Sequence, residues 1–146
     1  MKKFPGRSVL LFGRSLGTAL AVWMAGRELC LGVILEAAFT STDDMMRLYF
    51  PYLASQSVSP VKYDSLSLIA RVRSPLLFLH GQADQTIPLS MARRLHEQAT
   101  AAKFFYVVPG GDHNDTYLVG GREYFRVWRD FLNFCIQHQT AGDSLR

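Results

Sequence analysis

The stretch Gly13-Arg14-Ser15-Leu16-Gly17 constrains this chain more than any other. It follows the apolar run Ser8-Val9-Leu10-Leu11-Phe12 and precedes a small-residue run from Thr18 to Ala25. A short continuous apolar run reads as a buried strand, and a run rich in alanine reads as a helix able to pack closely on a sheet. The expectation is strand, tight turn, helix, with Ser15 held at the apex in a strained backbone conformation and its hydroxyl lifted clear of the sheet. Strand and helix come close on both sides of such a turn, so a side chain at position 13 or 17 is expected to clash. The helix N-terminus then aims backbone N–H groups at whatever lies above Ser15.

Further along, Leu29–Leu35, Pro75–His80 and Lys103–Val108 also read as buried strands. Helices are expected from Leu16 to about Arg27, from Thr86-Ile87-Pro88 to about Gln98, and from about Gly121 to His138, with Gln139–Arg146 frayed. Thr86 is the expected cap of the second of these, with Pro88 in its first turn. Phe125, Trp128, Phe131, Leu132 and Cys135 recur at helical spacing on the last helix and read as core packing. Residues 39–68 read as a lid-like insertion or, equally, as a cover for the sheet edge, with a short helix capped by Thr42 or Asp43, broken later by Pro51 and Pro60. Strand–helix alternation of this kind gives an α/β layered fold with a mostly parallel sheet, in one domain spanning residues 1–146. Function in such sheets gathers at the carboxyl ends of the strands. Ser15, Glu36, Asp84 and His113 all lie just past such ends.

Composition narrows the classes. Of the 146 residues, 49% are hydrophobic and 19% charged, a globular balance. No apolar run approaches the ~20 residues needed to cross a bilayer, so no stable membrane insertion is expected, and a cytoplasmic location is. Net charge is +4, but the basic residues are scattered and not interleaved with aromatics, which argues against nucleic-acid binding. Cys30 and Cys135 sit in apolar segments, without a Cys-x-x-Cys or histidine cluster, and read as buried thiols. Neither a metal nor a cofactor is expected.

Acyl transfer to a serine needs a hydroxyl that attacks, a neutral imidazole that takes its proton, and a carboxylate that fixes the imidazole tautomer. Ser15, His113 and Asp84 supply these groups, in the chain order that belongs to a serine on a strand–turn–helix elbow. Glu36 is the alternative acid, since it too follows a strand. His80 closes a strand and reads as structural, His96 lies on a charged helix face, and His138 is near the tail. Asp115 or Thr116 reads as a cap of local backbone. Phe39, Met45, Tyr49 and Ile87 are the candidate substrate pocket, and their apolar character favours a small ester or acyl substrate.

These residues resemble the alpha/beta-hydrolase fold superfamily, over about Ser8 to Ile136. Gly13-Arg14-Ser15-Leu16-Gly17 looks like its nucleophile elbow, His80-Gly81-Gln82-Ala83-Asp84-Gln85-Thr86-Ile87-Pro88 like its acid segment, and Gly111-Asp112-His113-Asn114-Asp115-Thr116 like its histidine loop. Phe39-Thr40-Ser41, Asp44-Met45 and the motif His-Asn-Asp-Thr at 113–116 resemble the branch of alpha/beta-hydrolase-domain-containing proteins of the thirteen type. The resemblance implies a three-layer sandwich and a serine hydrolase of the esterase or thioesterase type that works through an acyl-enzyme, with peptidase action left open because the same triad serves amides and esters. Thr18 departs from the branch, which often has a glycine there. The strands that precede the elbow strand in the family have no counterpart here, nor does the loop that supplies one oxyanion N–H. The Leu16 N–H is the oxyanion donor that remains, and losing one donor costs ~10²–10³ in rate. The strand Ser8–Phe12 is then expected to carry an exposed apolar edge, open to homo-oligomer formation or pairing with another chain. A catalytically impaired fragment acting as a binding module is the alternative expectation.

Overall fold

A computed structural model describes residues 9–53 and 62–143 of the chain. Ser8, the 54–61 part of the expected insertion with Pro60, and residues 144–146 lie outside the described residues. The elements in order are β1 (Leu10–Arg14), α1 (Leu16–Ala25), β2 (Gly32–Glu36), α2 (Thr42–Tyr49), α3 (Ser65–Leu68), β3 (Leu76–Gly81), α4 (Leu89–Gln98), β4 (Lys103–Val108) and α5 (Thr116–Asp143). One 3-10 turn follows α2 at Pro51–Leu53 and another follows α3 at Ile69–Arg71.

The four strands pair in sequence order, β1-β2-β3-β4, all parallel. Parallel pairing of consecutive strands requires a crossover each time, which α1, the α2–α3 region and α4 provide. Residues alternate between the two faces of the sheet. Val33, Leu35, Leu76 and Phe78 point to one face and pack with Ala21, Val22, Ala25, Ile69 and Leu95. Ile34, Leu77 and Leu79 point to the other and pack with Tyr124, Phe131 and Cys135 of α5. The result is three layers, with α1, α3 and α4 on one face and α5 on the other.

Several boundaries move from their expected places. β1 runs on to Arg14 because Arg14 stays in register opposite Glu36. α2 is capped by Ser41, whose extended backbone lets its hydroxyl accept from the Asp44 N–H at 3.0 Å, and not by Thr42 or Asp43. The insertion closes on itself where Ser41 bridges Asp64. α5 begins at Thr116, breaks at Gly121, where φ is 50°, and continues through Asp143, beyond the expected end at His138. Its buried stripe is Tyr124, Phe131 and Cys135, with Trp128 partly buried against it, spaced at helical intervals. Phe125 lies about 100° round the helix from Tyr124 and is 60% exposed, so it is not part of the core. Both cysteines are free, Cys135 buried and Cys30 partly so, and burial pushes the Cys135 thiol up to about 11. β1 is the edge strand of the described sheet, and its Phe12 is half exposed beside Trp128.

Candidate active site

Ser15 stands between β1 and α1 with φ 50° and ψ −121°, a region that non-glycine residues rarely occupy. The surrounding backbone holds it there. Its N–H donates to the Glu36 carbonyl at 2.9 Å, and its carbonyl accepts from the Thr18 N–H at 3.0 Å and the Thr18 hydroxyl at 2.6 Å. A Cβ at Gly13 would stand 2.4 Å from the Gly17 carbonyl oxygen, which is why the strand side of the turn requires glycine. The same expectation for Gly17 is corrected: a Cβ there meets nothing within 4 Å among the described residues. Leu16 is the first residue of α1, so its N–H has no acceptor within the helix.

The other two residues are brought to Ser15 by the ends of β3 and β4. Gly81 ends β3, and a Cβ on it would lie 2.4 Å from the Gly111 carbonyl oxygen. This close approach joins the 82–88 loop to the 109–115 loop, and the Ala83 N–H donates to Gly111 O at 2.8 Å. Asp84 then faces His113. Its Oδ2 lies 2.9 Å from His113 Nδ1, and its Oδ1 accepts the Thr86 and Ile87 N–H groups, each at 2.8 Å. His113 Nε2 lies 3.2 Å from Ser15 Oγ. The Asp84 side chain is fully buried and that of His113 nearly so.

The expected helix cap at Thr86 is also corrected. Pro88 occupies the cap position of α4 with no side-chain bond, while the Thr86 N–H is taken by Asp84. His80 is wholly buried, bonded through Nε2 to the Ile87 carbonyl at 2.8 Å. Burial pushes its pKa down, and although the Ile87 carbonyl and the Asp84 and Glu36 carboxylates oppose this, burial prevails. The neutral ring donates to the Ile87 carbonyl and so closes the loop that carries Asp84. Asp112, beside the histidine, is held below the usual carboxylate range by the His113 and Gln85 N–H groups it accepts. Asp115 Oδ1 accepts from the Asp112 N–H at 2.6 Å, a local backbone cap of the expected kind.

Glu36, the alternative acid, does not reach the histidine ring. Its buried carboxylate accepts from the hydroxyls of Thr116 and of Tyr124, the latter at 2.9 Å. Burial and this carboxylate push the Tyr124 hydroxyl well above its usual value, so it stays protonated and donates. Of the candidate pocket residues, Phe39 and Ile87 are buried in a small cluster with Ala19 and Met91, and Met45 packs against it. Tyr49 is half exposed and donates its hydroxyl to the Thr86 carbonyl at 2.6 Å, bracing the loop of Asp84. These four residues tie α2 to the acid loop; none of them lines the larger apolar cleft, about 390 Å³, between Phe12, Arg14, Glu36, Tyr117, Tyr124, Phe125 and Trp128.

No family model matches the chain. Curated relatives do. The chain is 30% identical over 156 residues to the alpha/beta hydrolase domain-containing protein WAV2 of Arabidopsis thaliana, a match covering 94% of this chain and 51% of that protein. It is 33% identical over 131 residues to Protein bem46 of Schizosaccharomyces pombe, covering 85% and 43%. Among solved structures, the esterase domain of a Rhodothermus marinus protein superposes with a TM-score of 0.61 at 22% identity, over 82% of this chain and 58% of that one. A monoacylglycerol lipase of Paleococcus ferrophilus gives 0.63 at 19%, over 91% and 70%. The chain has an alpha/beta-hydrolase fold. The chain spans about half the length of the curated relatives it matches. A yeast relative, 37% identical over 132 residues covering 86% of this chain and 46% of the relative, carries the name uncharacterized membrane protein. Among the described residues no helix is long and apolar enough to cross a membrane.

Sequence reasoning did not find Arg14, Thr116 or Tyr124 as parts of the site. Arg14 lies in the elbow motif, and its position opposite Glu36 in a parallel register is the signal that was there to read.

Proposed function

We propose that this hydrolase cleaves ester or thioester bonds by a Ser-His-Asp mechanism. The observation that supports it is the unbroken chain from Ser15 Oγ to His113 Nε2 at 3.2 Å and from His113 Nδ1 to Asp84 Oδ2 at 2.9 Å. In the proposed reaction, His113 takes the Ser15 proton as Oγ bonds to the acyl carbon, and the negative charge that develops on the acyl oxygen is met by the Leu16 N–H. Asp84, fixed by two backbone N–H groups, holds the proton on Nδ1 and stabilises the imidazolium. The tetrahedral species collapses, the bond to the alcohol or thiol breaks, and His113 returns its proton to that leaving group. Water, deprotonated by His113, then attacks the acyl-enzyme, and Ser15 leaves with the proton restored. The esterase and lipase named among the fold neighbours favour acyl substrates within this reading.

Steady-state hydrolysis of p-nitrophenyl acetate and of an acyl thioester tests the proposal. Asp84→Asn is expected to lower kcat on the order of 10⁴-fold, as a wrong imidazole tautomer does. Glu36→Gln is expected to lose far less, because Glu36 does not touch the ring. Equal losses in the two variants would contradict the role given to Asp84. No turnover by a folded chain would leave the interaction role expected of the β1 edge as the better reading.

A further inference from the structure

Arg14 and Glu36 form a connection between the elbow and the histidine loop that does not pass through Asp84. In β1, Phe12 packs toward α5 while Gly13 faces α1, and the alternation of the strand returns Arg14 to the α5 side. There its guanidinium donates to the carbonyl oxygen of His113 itself, and to Asn114 Oδ1 at 2.8 Å. Its Nε lies 3.8 Å from Glu36 Oε1. Glu36 in turn takes the hydroxyls of Thr116, the first residue of α5, and of Tyr124, while its backbone carbonyl takes the Ser15 N–H. A buried carboxylate left without partners would be costly, so this network fixes its own members. The ion pair alone is weak at that distance and with Arg14 partly exposed; the hydrogen bonds carry the connection.

We propose that Arg14 and Glu36 are positioning residues that set the distance between Ser15 Oγ and His113 Nε2, by tying the backbone of the residue next to the serine to the backbone of the histidine. Arg14 and Ser15 are adjacent, so the bond from Arg14 to His113 O closes a small ring with the Ser15–His113 contact. Asp84 controls the tilt and tautomer of the imidazole, and Arg14 controls where the histidine Cα stands. A shift of about 1 Å at a reacting pair costs on the order of 10²-fold in rate. This inference rests on the triad reading above.

Two measurements on the purified chain test it. The first is the saturation kinetics of Ser15-dependent labelling by a fluorophosphonate. Arg14→Met is expected to slow the maximal labelling rate by about 10- to 100-fold with little change in the half-saturating probe concentration. Arg14→Lys, which keeps one donor but not the fork, is expected to lie between Arg14→Met and the parent. The second, independent of activity, is amide hydrogen exchange: residues 113–116 are expected to exchange at least about 10-fold faster in Arg14→Met, with β3 and β4 unchanged. Unchanged exchange at 113–116, or labelling as fast as the parent's, overturns the inference. Absence of Ser15-dependent labelling in the parent contradicts the triad reading instead, and the exchange result still decides whether Arg14 holds the histidine loop.

Discussion

The role proposed for Ser15 and its backbone strain fall on the same residue. A φ of 50° with ψ of −121° costs of order 1–3 kcal/mol for a residue with a Cβ. Ser15→Gly is therefore expected to raise stability above that of Ser15→Ala by about 1 kcal/mol, both variants lacking the hydroxyl, as read from chemical denaturation midpoints. The flanking glycines divide. Gly13→Ala is expected to destabilise the chain strongly, because the new methyl meets the Gly17 backbone, whereas Gly17→Ala leaves folding intact in open space. Equal sensitivity at the two positions would contradict the geometry of the turn. The motif made the strain at Ser15 and the need for Gly13 legible in advance, since both follow from a sharp strand-to-helix turn. It could not reveal Gly17's freedom, which depends on the direction of one Cα–Cβ vector in the folded turn.

At the scale of elements, the site is assembled by strand ends and by the loops that follow β3 and β4. His80 is the hinge of that assembly: buried at the end of β3, it donates to the Ile87 carbonyl and closes the loop that carries Asp84. Its folded-state pKa lies below its unfolded value because burial disfavours the charged ring. The unfolded chain thus binds the extra proton more readily. The stabilisation from keeping His80 neutral is complete above about pH 6.5 and is lost as the pH falls below it. His80→Gln is expected to lower stability at pH 7.5 and to flatten the decline between pH 7 and 5; an unchanged acid-side slope would contradict this account. The order of strands and helices was legible because continuous apolar runs of strand length alternate with helical periodicity. Boundaries and caps were less so. Pro88, not Thr86, stands at the cap position of α4 while the Thr86 N–H is drawn to Asp84, and Ser41, which bridges Asp64 23 positions along the chain, caps α2 in place of Thr42.

At the scale of the whole molecule, three layers bring residues 15, 84 and 113 to one edge of a parallel sheet, and the register of β1 on β2 sets Arg14 against Glu36. The positions of Ser15, Asp84 and His113 beyond strand ends could be read from the chain. A place in the loop one strand before the histidine favours Asp84 over Glu36, and the structure sets Asp84 against the His113 ring while Glu36 is drawn toward α5 by Thr116 and Tyr124, partners that no sequence spacing announces. The pocket expectation at Phe39, Met45 and Ile87 met a packed cluster for a related reason: apolar residues suited to lining a site are equally suited to filling one. The proposed mechanism requires that these 146 residues hold an activated serine. The most direct measurement is the intact mass of the purified chain after reaction with a fluorophosphonate, beside Ser15→Ala and His113→Ala. A single adduct on the parent, absent from both variants, is the predicted result; an unlabelled but folded parent, or an adduct that persists in Ser15→Ala, would contradict it.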